Sequence, residues 1–133
     1  MFDIEQFWDD VINQNRNSLK SYFTEDAVIR WHCTNEQFSV QEYIQINCDY
    51  PGKWAGNIER IERMGNQIIF AGQVTAKDEK ISFHVVSFIK CKDGLITEMD
   101  EYWADDSDAP EWSQKLKIGK KNTQIFKKSL FDY

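Results

Sequence analysis

The stretch Ile81-Ser-Phe-His84-Val-Val-Ser-Phe-Ile89, the dipeptide Asp93-Gly94, and Leu95-Ile-Thr-Glu-Met-Asp-Glu101-Tyr-Trp103 decide how this chain folds. Two β-rich segments around an Asp-Gly turn predict an antiparallel hairpin. The hairpin carries His84 and Glu101 where apolar residues are expected, and polar groups there need partners. A two-residue turn pairs Lys92 with Leu95, Phe88 with Met99, Val86 with Glu101 and His84 with Trp103. His84 and Glu101 then share one face, diagonally within side-chain reach. A three-residue loop, Lys92-Asp93-Gly94, slips the register by one and sends Glu101 to the other face. The two-residue turn is preferred, because it gathers one apolar face around His84 and Glu101.

Outward from the hairpin, Ile58 to Met64 and Gln67 to Ala76 flank Gly65-Asn66 and predict a second hairpin. Two helices precede the strands. In the first, Asp3 and Gln6 fit a capping box, Phe2 and Phe7 a hydrophobic staple, and Ile4, Phe7, Trp8, Val11 and Ile12 fall on one face. A polar break leads to a short turn carrying Leu19, Tyr22 and Phe23, then to an alternating strand, Ala27 to Cys33. In the second helix, Ser39 and Glu42 repeat the capping box and Phe38 and Tyr43 the staple. Val40, Tyr43, Ile44, Asn47 and Cys48 line its inner face, and Pro51-Gly52 ends it. Helices followed by antiparallel strands make the fold class α+β.

At 133 residues the chain suits one domain, able to bury roughly two thirds of its unfolded surface. Residues 1–113 are expected to form it, and 114–133 a C-terminal extension: a short docking helix, or a partly ordered segment with Ile125, Phe126, Leu130 and Phe131 as its apolar residues. Nine Phe, five Tyr and five Trp supply rings for a core and for the wall of a pocket. A formal charge of -6 with no basic face upstream of the tail argues against nucleic acid or an anionic membrane as partner. No apolar run spans a membrane, and the acidic N-terminus does not read as a signal peptide. Cys33, Cys48 and Cys91 are odd in number and widely spaced. Free thiols in the cytoplasm, with no metal and no cofactor, are expected.

Phe7-Trp8, Tyr22-Phe23-Thr-Glu-Asp26-Ala-Val-Ile29, Asp93-Gly94-Leu-Ile96 and Glu101-Tyr-Trp103, in this order of elements, resemble the nuclear transport factor 2-like superfamily, particularly its SnoaL-like bacterial branch. The resemblance covers residues 2 to 113. It implies a cone-shaped, strongly curved antiparallel sheet around a pocket, with the N-terminal helices packed over the concave side and a homodimer formed through the sheet. Members include ketosteroid isomerases, polyketide cyclases, dehydratases, epoxide hydrolases and proteins without catalysis, so fold alone leaves the reaction open. The enzymes usually place an Asp, or an Asp with a Tyr, deep in the cone. Glu101, Asp100 and Asp49 are this chain's available carboxylates, and none stands in that signature.

The residues themselves offer one acid–base pair, His84 with Glu101, or a hydrogen-bonded polar pair supporting the sheet. Tyr43 and Asn47 are candidate donors to a ligand carbonyl, and Asn47 is equally a cap for a neighbouring loop. Trp31, Trp54, Trp103 and Trp112 are candidates for core, pocket lining or dimer contacts, the first three taken as the ligand-binding wall, while Trp8 belongs to the core by its helical spacing. Cys33 is expected as a packed core thiol, since His32 points to the other side of the strand. Asp105, Asp106 and Asp108 lack the glycine and distal glutamate of a calcium loop and read as a solvated acidic turn. The function expected is a pocket for a small, largely apolar carbonyl or hydroxyl compound. That pocket either catalyses isomerase, cyclase or dehydratase proton transfer or belongs to a non-catalytic ligand-binding or accessory protein.

Overall fold

A computed structural model describes residues 2–78 and 80–122. Helix α1 (Ile4–Ile12) and the short α2 (Arg16–Leu19), closed by a 3-10 turn over Lys20–Tyr22, precede β1 (Phe23–Trp31) and β2 (Glu36–Ser39). Helix α3 (Val40–Asp49) leads to four long strands, β3 (Trp54–Met64), β4 (Gln67–Ala76), β5 (Ser82–Lys92) and β6 (Leu95–Asp105), and to α4 (Glu111–Leu116). The six strands form one curved, open sheet in the order β2-β1-β6-β5-β4-β3. Every neighbouring pair is antiparallel except β1 and β6, which run parallel. The expected α+β cone is therefore present, with one parallel pairing and a short edge strand, β2, that the sequence did not announce. The calls on Ile125, Phe126, Leu130 and Phe131 lie outside the described residues, and α4 runs across the expected boundary at 113.

Both helix starts obey their local chemistry. The Asp3 carboxylate accepts from the backbone N–H groups of Glu5 and Gln6, satisfying two donors that the first turn leaves unpaired. Ser39 and Glu42 form the full capping box at α3. Phe7, Trp8 and Val11 of α1 and Tyr43 and Ile44 of α3 bury against the inner sheet residues Ile29, Phe70, Val74, Val85, Ile89 and Met99. Trp8 packs closely on β4 at Gly72: a β-carbon at that position would come within 3.0 Å of Trp8 Cζ2 and 3.2 Å of the Asn57 carbonyl oxygen. A carboxylate of α1 is buried beside this core. Asp10 is only 5% exposed, and its carboxylate accepts from the Tyr22 hydroxyl at 2.5 Å and from Asn15 Nδ2 at 2.7 Å. Burial opposes its charge, yet these bonds together with Gln6 hold the carboxyl below its ordinary range.

Curvature comes from interruptions in the ladders. Glu59 is an extra residue in β3 between the pairs Ile58–Gly72 and Arg60–Ala71. Thr97 is an extra residue in β6 between the pairs Cys91–Ile96 and Lys90–Glu98. Such bulges increase the local twist and bend the strand that carries them.

Candidate functional site

The bulge at Thr97 reorganises the hairpin that dominates the sequence. Its turn has two residues, as preferred, with left-handed φ values of 52° at Asp93 and 81° at Gly94 and the pair Lys92–Leu95 beside it. Beyond Thr97 the pairing moves by one, so Glu101 faces Ser87, Trp103 faces Val85 and His84 faces Ala104. Because side chains alternate along a strand, this single step sends His84 and Glu101 to opposite faces. The expected acid–base pair is not assembled.

Glu101 points into the cone and is 3% exposed. Its Oε1 accepts from Trp31 Nε1 at 3.0 Å and from Trp103 Nε1 at 3.3 Å, and its Oε2 accepts a hydrogen bond from the Ser87 hydroxyl. Burial pushes its carboxyl above the ordinary range, against the pull of those three donors. Tyr43, 2% exposed, packs edge-on to Trp31 with ring centroids 6.5 Å apart. Burial raises its phenol far above the usual range, and the negative charge of Glu101 raises it further. Glu101 is thus a pillar beneath two indole rings.

Above those rings opens a cavity of about 380 Å³, within the size range of small-molecule sites. It lies where the ends of α1 and α3 meet the mouth of the sheet. Trp31, Trp54, Phe83 and Trp103 form its wall with Val11 and Val74, and Glu36, Asn47 and Asp105 supply polar groups. A ladder of rings runs through it: Tyr50 to Trp54 at 5.7 Å, Trp54 to Phe83 at 5.6 Å and Phe83 to Trp103 at 6.5 Å between centroids. All three indoles of the wall, Trp31, Trp54 and Trp103, are held by their ring nitrogens, since Trp54 Nε1 also donates to the Pro51 carbonyl at 3.2 Å.

Of the residues singled out from sequence, Trp31, Asn47, Trp54 and Trp103 line the cavity; Tyr43 and Glu101 lie behind its wall. Asn47 Nδ2 donates to the Val11 carbonyl at 3.1 Å, and Gln14 Nε2 returns a bond to the Asn47 carbonyl at 3.0 Å. The asparagine therefore acts as the cap that its position on the inner face allowed, tying α1 to α3.

His84 lies on the convex face. Its Nδ1 bonds Asp106 Oδ1 and its Nε2 sits 3.4 Å from Glu59 Oε2. Asp106 Oδ2 also accepts from the Ser82 hydroxyl at 2.6 Å and from Gln73 Nε2 at 3.2 Å. Burial works against the charge on Asp106, but Ser82, His84 and Gln73 outweigh it and lower its pKa. The aspartate expected in a solvated turn is instead the hub of a polar cluster. Cys33, expected in the core, is exposed in the turn between β1 and β2 and borders the cavity, because β1 ends at Trp31, short of the expected strand end. His32 does point away from it, stacking on Tyr102 at 4.7 Å and bonding Asp100 at 2.8 Å.

No family model and no curated protein matches the sequence. Solved structures do match. A provisional ketosteroid isomerase from Kribbella flavida shares 19% identity at a TM-score of 0.75, over 92% of this chain and 89% of that one. An NTF-2 like protein of unknown function from Burkholderia xenovorans shares 17% identity at a TM-score of 0.71, over 89% and 91%. A provisional SnoaL-like polyketide cyclase from Shewanella putrefaciens shares 14% at 0.64, over 86% and 82%. The chain has the nuclear transport factor 2-like fold. At these identities the likeness concerns the fold.

Proposed function

We propose that this protein binds a small, largely apolar molecule in the cavity walled by Trp31, Trp54, Phe83 and Trp103, and does so without a histidine–carboxylate pair. The supporting observation is the split of His84 from Glu101. Among the described residues, the donors placed on the Glu101 carboxylate are Ser87 and two wall indoles, which fix the shape of the cavity. Rigid aromatic walls with a few polar groups at the rim suit recognition of a flat or branched apolar body. Titration with tert-butylbenzene, followed by tryptophan fluorescence, tests this. Saturable binding weakened about tenfold or more by Trp54→Ala agrees with it; no saturable change with this hydrocarbon or with its isostere phenyltrimethylammonium contradicts it.

Proton transfer of the isomerase, cyclase or dehydratase kind is the second reading. What favours it is a buried carboxyl, Glu101, held above its ordinary range one ring away from the cavity. On that reading Glu101→Gln would abolish turnover of a carbonyl substrate while leaving its binding unchanged.

The convex face suggests a second copy of this chain as partner. Val86 is 38% exposed, Phe88 36% and Tyr102 45%, on neighbouring strands of one face. Three free cysteines suit the reducing cytoplasm. Among the described residues no helix is long and apolar enough to cross a membrane.

A further inference from the structure

The charge of the cavity is one-sided. Its ionisable carboxylates are Glu36 and Asp105, and no Lys, Arg or His borders it among the described residues. Behind the wall stands a third carboxyl, Glu101. The aromatic content of the wall is equally one-sided, since three indoles, a phenylalanine and Tyr50 surround one space. Indole faces carry the negative end of the ring quadrupole and are the strongest aromatic partners of a cation. Two of these indoles, Trp31 and Trp103, donate their N–H groups to the same carboxylate oxygen. When that carboxyl is ionised, its hydrogen bonds polarise the two donors and move electron density toward their rings.

From this geometry we infer that the molecule the cavity takes is an organic cation, a tertiary or quaternary ammonium group carried on a small apolar body. The inference rests on the proposal that the cavity is a binding site, and it adds the charge of the ligand. The rings would surround the alkylated nitrogen and replace its weak hydration at little cost, because a quaternary ammonium has no N–H group to leave unpaired. Asp105 and Glu36 at the rim would supply the counter-charge while remaining in contact with water. A carboxylate-bearing ligand would meet like charge at the same rim and gain no cationic partner in return. A neutral ligand of the same shape would keep the apolar contact and lose the attraction to the ring faces.

Two probes of the same shape separate the possibilities. Phenyltrimethylammonium and tert-butylbenzene differ in whether the branched centre is a charged nitrogen or a neutral carbon. Titrated calorimetrically into the full chain, the cation is expected to bind about tenfold tighter than the hydrocarbon. Asp105→Asn is expected to weaken the cation about threefold and leave the hydrocarbon unchanged. Equal or tighter binding of tert-butylbenzene would overturn the cation inference and leave the binding site standing. Failure of both probes to bind would overturn the site reading and the inference with it. A cation affinity that is unmoved by Trp54→Ala would place the ammonium elsewhere and also overturn it.

Discussion

Trp31 Nε1 lies 3.0 Å from Glu101 Oε1, across a parallel strand pair in which these two residues are direct neighbours. The bond joins the first strand of the sheet to its central hairpin, so the wall of the cavity is fixed by a non-local contact. Trp103, two residues along β6, shares the same oxygen at 3.3 Å. Removing one donor leaves a buried carboxyl less well satisfied. Trp31→Phe is expected to raise the pKa of Glu101 further and to cost about 1–3 kcal/mol of stability. Carbon-detected titration of the glutamate carboxyls, with denaturant unfolding, measures both.

The two buried carboxyls predict opposite responses to pH. The Asp10 pKa is depressed in the fold below the ordinary aspartate value of 3.8, so its contribution is present above that value and is lost as pH falls through the folded pKa. The Glu101 pKa is raised above the ordinary glutamate value of 4.5, so the folded state loses stability as pH rises from 4.5 through the higher folded pKa. Asp10→Asn should therefore flatten the acid limb of the stability curve. Glu101→Gln should remove the decline that begins above pH 4.5. Chemical denaturation of both variants across the acid and neutral range checks the signs.

Gly72 predicts a steric cost. An added methyl group at this position meets the Trp8 ring at 3.0 Å and a backbone oxygen at 3.2 Å, and the backbone has little room to give. Gly72→Ala is expected to destabilise by about 1–3 kcal/mol and to shift the Trp8 indole signal.

Much of this architecture is legible in the chain itself because it is local. Caps at Asp3 and Ser39 and the apolar stripe of α1 depend on residues within two helical turns. Both hairpin turns depend on dipeptides. The pairing of β1 with β6 and the edge strand β2 depend on contacts about 70 residues apart and on a short segment, Glu36–Ser39, with little β character of its own. The bulge did leave a trace. Ile96 and Met99 are both buried inner residues, yet they are three apart, and an uninterrupted strand cannot place both on one face. Asp10 left one too, standing three residues after Phe7 on the buried side of α1. The carboxylate beneath two indoles has no such local mark, since Trp31 and Glu101 meet only in the folded sheet.

The convex face predicts association. With Val86, Phe88 and Tyr102 contiguous and exposed, sedimentation should give a dimer at micromolar concentration. Phe88→Lys should shift it to monomer without altering the cavity. A wild-type monomer would contradict the proposed partner.

The five tryptophans provide the most direct test that the cavity is the binding site. Trp31, Trp54 and Trp103 line it, Trp8 is buried in the core, and Trp112 stands 69% exposed on α4. Nitrogen–proton spectra of the assigned indole groups, recorded during titration with phenyltrimethylammonium and separately with tert-butylbenzene, read each ring by itself. Progressive, saturable shifts at Trp31, Trp54 and Trp103, with Trp112 unmoved, are the predicted result. Shifts confined to Trp112, or no shift at the three wall indoles with either probe, would contradict it.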